Sequence, residues 1–176
     1  MFGDTLSLKR QITVGTAFGP EPLDPHPTLS LSSTAEEEWA ADLMSASEPW
    51  LTLGRGRAAC LEALRNPSYL LFISHNHHGQ ARGFLLLDPD GLAGSPYIRS
   101  VGVDPSCRGA AVGREMLQFA DKLSRRNARH IFLCVSSFNA RARKLYERLG
   151  YKMVGELKAY VIPGASELLM HKRLRD

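Results

Sequence analysis

The fold of this chain is indicated most strongly by one stretch, Tyr97-Ile-Arg-Ser-Val-Gly-Val-Asp-Pro-Ser-Cys-Arg-Gly-Ala-Ala-Val-Gly-Arg-Glu-Met-Leu117. It begins as a β-rich run, continues through a loop of small residues and ends in an amphipathic helix. The first N–H groups of a helix have no intrahelical acceptor and lie at the positive end of its dipole. Because small residues let a ligand approach this backbone closely, the stretch predicts an anion site at a helix N-terminus.

The loop alone is a weak indication of function. The small residues Gly109–Ala111 and Gly113 would also permit tight packing of a helix on a sheet. Arg108 and Arg114 add positive charge where a phosphate group would lie. A packing loop and a phosphate loop are both compatible with these residues.

The flanking sequence alternates between strand and helix patterns. The first helix begins at Thr34, which forms a predicted capping box with Glu37, and it stops before Pro49. Further helices are predicted at 57–65, 111–126 and 139–149, and strands at 69–74, 81–87, 97–103, 130–136, 151–158 and 167–172, with turns at 75–80 and 88–91. This order predicts one mixed sheet with helices on its faces. The last strand, which runs into His171, is predicted to be an edge strand.

Composition indicates an ordinary globular protein. The chain has 176 residues, of which 44% are hydrophobic, so it can bury a sizeable core. Its net charge of +4 suits a small anionic ligand but is too mild to indicate a nucleic-acid partner. No apolar run reaches membrane length, and the N-terminus lacks the pattern of a signal peptide. With three cysteines and no CxxC pair, we expect a cytoplasmic protein with no metal site and no membrane partner.

Residues 1–28 differ from the rest of the chain. They carry Pro20, Pro22, Pro25 and Pro27 and show little periodicity beyond a short strand pattern at 11–17. We therefore predict an irregular arm at 1–28 and a single domain at 29–176. One hypothesis is that the arm recruits a partner protein or completes a homodimer.

Two motifs together resemble a known family. The segment Arg108-Gly-Ala-Ala-Val-Gly113, which follows a strand ending in Val103-Asp-Pro105, is similar to the acyl-CoA-binding motif Gln/Arg-x-x-Gly-x-Gly/Ala of the GNAT superfamily of N-acetyltransferases. The segment from Asn139 through Tyr146 to Gly150-Tyr151 resembles the family's later signature, Asn-x-x-Ala-x-x-x-Tyr-x-x-x-Gly-Phe. Both motifs occur in the family's order and spacing.

The resemblance implies a mixed α/β fold. Its central sheet would be mostly antiparallel, with helices on both faces and a splayed strand pair at the acyl-CoA site. Gly102 is the expected bulge in the first splayed strand, since glycine within a strand often marks an irregularity. The resemblance also implies acetyl-CoA as co-substrate and acetyl transfer to a primary amine of a small molecule, peptide or protein in a ternary complex. The implied cofactor-binding residues are Val101, Val103, Arg108, Gly109, Ala110, Ala111, Val112, Gly113, Arg114 and Asn139.

The resemblance gives Tyr146 a place near the sulfur of CoA. A tyrosine with an ordinary pKa of about 10 is protonated at neutral pH and can donate a proton to a thiolate leaving group. The alternative is a tyrosine that only packs. Related enzymes often carry a glutamate where this chain has Cys134, so the sequence assigns no general base. Ordered water, Glu48 and unaided loss of the amine's proton all remain open, while a covalent acetyl-Cys134 is disfavoured because buried cysteines are usually inert.

Acceptor contacts are expected from the loop before the second helix, where Glu48, Trp50 and Leu53 are the candidates. Trp50 has an alternative role as an ordinary packing residue. The histidines within 75–78 lack ligand spacing to other residues, so we interpret them as a solvated turn.

Ala111 departs from the family pattern, which usually has glycine there. Its methyl group is tolerated in a right-handed backbone conformation but would crowd a pyrophosphate if φ is positive. The second functional hypothesis is therefore a catalytically weak CoA-binding sensor or interaction module, supported only by Ala111 and the missing base. Tyr146 and Asn139 favour the enzyme.

Overall fold

The computed structural model describes residues 28–176, so all but the last residue of the predicted arm, including the strand pattern at 11–17, lies outside the described residues. The strands are β1 Leu29–Leu31, β2 Leu70–His75, β3 Ala81–Leu92, β4 Ser95–Val103, β5 His130–Ser136, β6 Lys152–Lys158 and β7 Ser166–Arg173. The helices are α1 Thr34–Ser45, α2 Arg57–Leu64, α3 Val112–Ser124 and α4 Ala140–Arg148, with a 3-10 turn at Pro105–Cys107.

The strands form one sheet in the order β1-β2-β3-β4-β5-β7-β6. All neighbouring strands are antiparallel except β4 and β5, which are parallel and joined through α3. This confirms the prediction of a mixed, mostly antiparallel sheet. The prediction of an edge position for the last strand is wrong, because β7 pairs with β5 on one side and with β6 on the other.

Helices cover both faces of the sheet, as predicted. Successive side chains of a strand point to opposite faces, and β3 contributes to both. Leu85 and Leu87 enter a core that includes residues of α3, whereas Phe84 and Leu86 enter a second core that includes residues of α1 and α2. Burial on both faces explains why β3 reads as a continuous apolar run.

The capping box of α1 lies one residue before the predicted position. Ser33 is the N-cap, and its N–H and hydroxyl each donate to the Glu36 carboxylate at 2.7 Å. Glu37 is instead buried at 1% exposure and accepts a hydrogen bond from Arg65 of the α2 C-cap at 3.1 Å. The predicted capping box was wrong because two adjacent glutamates allow two capping boxes, Ser33 with Glu36 or Thr34 with Glu37. Glu36 forms the box, and the buried Glu37 joins α1 to α2.

The turn between β3 and β4 also differs from its prediction. The residues at 88–91 lie within β3, which continues to Leu92 through a register shift, and Leu92 pairs with Ser95. The reversal falls at Ala93 and Gly94, with φ of 49° and 73°. Two successive left-handed residues match the twist of a tight hairpin, so this pair replaces the Pro-Asp-Gly segment as the turn.

Candidate active site

The two parallel strands β4 and β5 separate after a short paired region. They pair only at Tyr97 with Phe132 and at Ile98 with Leu133, so the ends of both strands diverge into a wedge. This confirms the expected splayed strand pair. Beyond Ile98, β4 pairs with β3 alone, so the backbone on its β5 side is without a strand partner among the described residues. Main-chain groups at Val101 and Val103 are thereby placed along the wedge.

The bulge in β4 is at Arg99, and the prediction that it lies at Gly102 is wrong. Ser100 pairs with Leu86 and Ile98 pairs with Leu87, so Arg99 is the extra residue. Gly102 stays in register opposite Phe84. A Cβ at Gly102 would lie 2.2 Å from Phe84 Cε1, so glycine is required here for the close approach of the aromatic ring.

A loop with exposed backbone donors connects β4 to α3. Asp104 opens it by accepting hydrogen bonds from the N–H and hydroxyl of Ser106, at 2.9 and 2.5 Å. Gly109 then takes a φ of 90°, which favours glycine, and α3 begins at Val112. Within residues 28–176, the N–H groups of Gly109 and of residues 111–114 have no hydrogen-bond acceptor. A set of neighbouring donors without acceptors at a helix N-terminus suits the oxygens of a phosphate group.

Charge around this loop is positive and unpaired. Arg108 and Arg114 are exposed, and neither forms an ion pair with another described residue. Gly113 follows the first residue of α3, where a Cβ would lie 3.5 Å from Leu145 and 3.6 Å from Val103. The absence of a side chain at Gly113 therefore leaves space between α3, β4 and α4.

Ala111 is the N-cap of α3 and has a φ of 62°. This is the left-handed conformation in which the methyl group was expected to crowd a pyrophosphate. An alanine in this region costs roughly 1 kcal/mol relative to a right-handed conformation. The departure from the family pattern therefore falls at a position where glycine would be the less strained residue.

The second motif forms the start and body of α4. Asn139 is the N-cap, and its side-chain oxygen accepts a hydrogen bond from the N–H of Ala142 at 3.2 Å. Its amide NH₂ group remains as a donor. Tyr146 lies two turns later and packs against the core beside Tyr151, with ring centroids 6.2 Å apart. Burial raises the pKa of Tyr146 to about 12, and its hydroxyl has no hydrogen-bond partner in the described part of the chain.

Behind Tyr146, a buried polar group ties α3 to β7. Asp121 accepts hydrogen bonds from the Tyr151 hydroxyl at 2.7 Å and from the Lys172 ammonium at 2.5 Å. Burial, followed by the charge of Asp121, holds the pKa of Tyr151 well above its usual range. The network satisfies the Tyr151 hydroxyl and fixes the wall against which Tyr146 packs.

The loop at 46–56 lies on the opposite face of the sheet. Trp50 is only 9% exposed and packs on Phe84, with ring centroids 5.9 Å apart. Because the Phe84 ring lies against Gly102, Trp50 anchors this loop beside β4. Glu48 is exposed and accepts a hydrogen bond from the Thr52 N–H at 3.3 Å, and Leu53 is partly buried.

Cys134 lies on β5 and is partly buried. Burial raises the pKa of its thiol; a hydrogen bond with Tyr97 opposes this shift in part, and the nearby negative charge of Glu167 adds to it. A thiol that stays protonated is a poor nucleophile, so the environment argues against a covalent role. Glu167 itself accepts a hydrogen bond from the Ser136 hydroxyl at 2.6 Å. Glu167 is not among the residues predicted from the sequence, because its cross-strand register opposite Ser136 is what brings it to this place.

Other predicted features lie away from the wedge. His75 contacts Glu36 at 2.5 Å, and His77 stacks on His78 in the turn after β2. Among residues 28–176, no group of three or more histidine, cysteine or acidic side chains is arranged to hold a metal ion. None of the helices described is both long and apolar enough to cross a membrane.

Comparison with known proteins identifies the family of this chain. Residues 30–151 match the acetyltransferase (GNAT) family. Mycothiol acetyltransferase from Beutenbergia cavernae is 35% identical over 100 residues, which cover 56% of this chain and 33% of that protein. N-acetylaspartate synthetase from Xenopus tropicalis is 34% identical over 79 residues, covering 43% of this chain and 28% of that protein. The chain thus aligns with about a third of the length of these curated relatives.

Solved structures give the same fold. The crystal structure of nourseothricin acetyltransferase matches with a TM-score of 0.56 and 27% identity, covering 62% of this chain and 67% of that chain. An aminoglycoside 6'-N-acetyltransferase complexed with coenzyme A matches with a TM-score of 0.68 and 18% identity, covering 84% and 97% of the two chains. With the family match extending over more than half of its length, this chain belongs to the GNAT acetyltransferase family.

Proposed function

We propose that this protein transfers the acetyl group of acetyl-CoA to a primary amine of a small molecule, peptide or protein. The observation that carries the proposal is the set of unbonded N–H groups at Gly109 and 111–114, beside two exposed arginines and next to the wedge. These N–H groups and arginines suit an anionic ligand, and they lie next to the opening between the parallel strands β4 and β5. The similarity to a structure complexed with coenzyme A supports the same ligand.

In this proposal, the chain's backbone holds most of the co-substrate. The N–H groups at Gly109 and 111–114 bind the pyrophosphate, with Arg108 and Arg114 adding charge. Main-chain groups at Val101 and Val103 bind the extended pantetheine arm, since β4 lacks a β5 partner there. The side-chain amide of Asn139 contributes a donor from α4. When bound, acetyl-CoA supplies a thioester whose carbonyl carbon is open to attack by an amine.

Tyr146 is proposed as the proton donor to the departing sulfur. Its pKa of about 12 keeps the hydroxyl protonated throughout the neutral range, and no described residue takes the proton or accepts its hydrogen bond. A neutral hydroxyl in a partly buried setting stabilises a developing thiolate more strongly than water would. The same burial disfavours the charged phenolate. Complete proton transfer from Tyr146 is therefore unfavourable unless the hydroxyl regains a proton at the same time.

Attack is proposed to be direct, within a ternary complex of protein, acetyl-CoA and amine. The alternative is an acetyl-cysteine at Cys134, which requires a thiolate. Because burial raises the pKa of Cys134, the thiol stays neutral and the direct route is favoured.

The acceptor is proposed to approach from the face covered by α1 and α2. Trp50 is buried on Phe84 and acts as the anchor of the loop, so the exposed Glu48 and the partly buried Leu53 are the better candidates for contact with the acceptor. The arm at 1–28, a cytoplasmic location and a homodimer stay predictions.

The proposal is tested by ligand-dependent stability followed by turnover. A ligand at 100 times its Kd stabilises a protein by about 2.7 kcal/mol, which for a domain of this size raises the Tm by several degrees. We expect such a shift with acetyl-CoA but not with ATP, followed by release of thiol with at least one amine of a screened panel. Equal shifts with both nucleotides, or no shift, would contradict the proposed site.

The second candidate is a CoA-binding sensor that does not turn over. The left-handed φ of 62° at Ala111 favours it, since the strained methyl group lies among the phosphate donors. A Tm shift with acetyl-CoA but no thiol release with any amine would select this candidate over the enzyme.

A further inference from the structure

The acceptor side of the wedge carries a carboxylate from a strand that is distant in sequence. Glu167 begins the part of β7 that pairs with β5, directly opposite Ser136 at the end of β5. Ser136 is 3% exposed, and its hydroxyl donates to Glu167 Oε1 at 2.6 Å. The carboxylate is therefore held at the end of β5, three residues beyond Leu133, the last residue of β5 that pairs with β4.

The pleat of the sheet decides which face Glu167 occupies. Leu168 and Met170 enter the core that includes residues of α3, so Glu167 points to the opposite face. Leu133 and Val135 enter the same core, which places Cys134 on the face of Glu167. That face carries the Trp50 loop, through which the acceptor is proposed to approach.

Charge around Glu167 is incompletely balanced. One carboxylate oxygen accepts the Ser136 hydrogen bond, and among residues 28–176 no cation forms an ion pair with Glu167. Its negative charge acts on two neighbours, Cys134 and Tyr97. A partly buried carboxylate without a cation is better satisfied when a positively charged ligand binds beside it.

Other carboxylates around the wedge are committed elsewhere. Asp104 caps the turn after β4, Glu115 pairs with Arg82 at 3.2 Å, and Asp88 lies 3.6 Å from Arg99. Glu48 is exposed and bonded to its own loop. Glu167 is thus the described carboxylate that combines partial burial, a fixed position and an open oxygen at the wedge.

We propose that Glu167, positioned by Ser136, binds the ammonium form of the acceptor amine and accepts its proton. The inference rests on the proposed acetyl transfer and specifies its substrate class, an aliphatic amine that is protonated in solution.

The protons and bonds of this reaction balance as follows. The ammonium gives one proton to Glu167, which passes it to water. The neutral nitrogen forms the C–N bond as the C–S bond breaks. A second nitrogen proton restores the Tyr146 hydroxyl, which protonates the sulfur, so the products are the amide, CoA thiol and one released proton.

The test compares two kinds of nucleophile in a thiol-release assay with acetyl-CoA. The first kind is a panel of protonated amines, namely n-butylamine, spermidine, an aminoglycoside and a peptide with a free α-amine. The second is hydroxylamine, which is uncharged at neutral pH and has no proton to lose before attack. For Glu167→Gln we expect kcat/KM with the accepted amine to fall by about 100-fold or more, and with hydroxylamine by less than about tenfold.

Matched variants separate this role from structural damage. Glu156→Gln makes the same charge change on β6, where Glu156 is exposed and lies opposite the core residue Leu168, and it should leave both reactions unchanged. Ser136→Ala frees the Glu167 carboxylate and should lower kcat with the amine more than it changes KM. Each variant should keep the Tm shift with acetyl-CoA.

Failure of the inference and failure of the proposed function give different results. If the wild type binds acetyl-CoA but releases no thiol with any nucleophile, the proposed transfer fails and this role for Glu167 fails with it. If the wild type turns over while Glu167→Gln retains the amine reaction, or loses the amine and hydroxylamine reactions equally, Glu167 is not the proton acceptor.

Discussion

The two sides of the wedge between β4 and β5 are built in different ways. The side assigned to the co-substrate uses backbone N–H groups of one continuous loop, 109–114, followed by α4. The side assigned to the acceptor uses side chains from β5 and β7 and from the loop anchored by Trp50. A backbone site needs small residues at fixed spacing, so it leaves a sequence pattern. A side-chain site assembled by strand register leaves none.

The largest expected effect comes from the residue that joins the two sides. Asp121 links α3 to Lys172 of β7, the strand that also carries Glu167. In Asp121→Ala, the Tyr151 hydroxyl and the Lys172 ammonium lose their common acceptor, and breaking a buried pair of this kind costs about 3 to 5 kcal/mol. We expect the Tm to fall by about 10 °C.

Tyr151→Phe provides the milder comparison for the same network. It removes one hydrogen bond while Lys172 keeps Asp121, so we expect a loss of only about 1 kcal/mol in denaturant unfolding. If Asp121→Ala costs no more than Tyr151→Phe, the two sides of the wedge are not joined through Asp121.

The co-substrate side is tested by a charge at Gly113. In Gly113→Asp, the carboxylate stabilises the first turn of α3 by about 0.3 to 1 kcal/mol but repels a bound pyrophosphate, at a cost of about 4 kcal/mol per charge pair near the surface. We expect unchanged or higher thermal stability and at least about a 100-fold loss of acetyl-CoA affinity by calorimetry. The neutral Gly113→Asn fills the same space without the charge, so it should lose much less affinity than Gly113→Asp. Equal losses of acetyl-CoA affinity in both variants would indicate that the size of the new side chain, and not its charge, weakens binding.

Tyr146 tests the chemistry between the two sides. Replacement by phenylalanine keeps the ring but removes the proton donor, so we expect kcat to fall by about 100-fold with the KM for acetyl-CoA little changed. A raised KM with unchanged kcat would make Tyr146 a binding residue.

The pH dependence of the wild type sharpens the same point. Because the raised pKa of Tyr146 is about 12, its protonated form persists across the neutral and mildly alkaline range. The kcat at saturating substrates should therefore show no alkaline decline due to this group until the pH approaches its pKa. A decline that begins near neutral pH and disappears in Tyr146→Phe would contradict this pKa.

The smallest expected effect is at Ala111. Glycine there relieves about 1 kcal/mol of left-handed strain but adds about 0.4 to 1 kcal/mol of unfolded-chain entropy. We therefore expect little change in the free energy of unfolding, with tighter acetyl-CoA binding because the methyl group is gone. Weaker binding in Ala111→Gly would show that the methyl group does not crowd the ligand.

Local periodicity made much of the fold predictable. The residues of β5 alternate between the core and the opposite face, and its predicted bounds, 130–136, agree with the structure. Predictions failed where two local solutions compete. Either Glu36 or Glu37 can close a capping box, and either the Pro-Asp-Gly segment or Ala93-Gly94 can reverse a hairpin. Tertiary packing selects between them.

The acceptor side escaped prediction for a different reason. Ser136 and Glu167 are 31 positions apart, and their contact depends on β7 inserting between β5 and β6. The sequence pattern predicted an edge position for β7. Glu167 comes to lie beside β5 only because β7 is an inner strand. The co-substrate loop required no such long-range information, because its donors all lie within six residues of the chain.

The central claim, that the loop at 109–114 is a preformed anion site of backbone donors, is tested most directly by NMR. Amide resonances of ¹⁵N-labelled protein would be followed during titration with coenzyme A. We expect the largest shifts at Gly109 and at residues 111–114, with smaller shifts along β4. Saturable binding that leaves these amides unmoved, or an absence of binding, would contradict this claim.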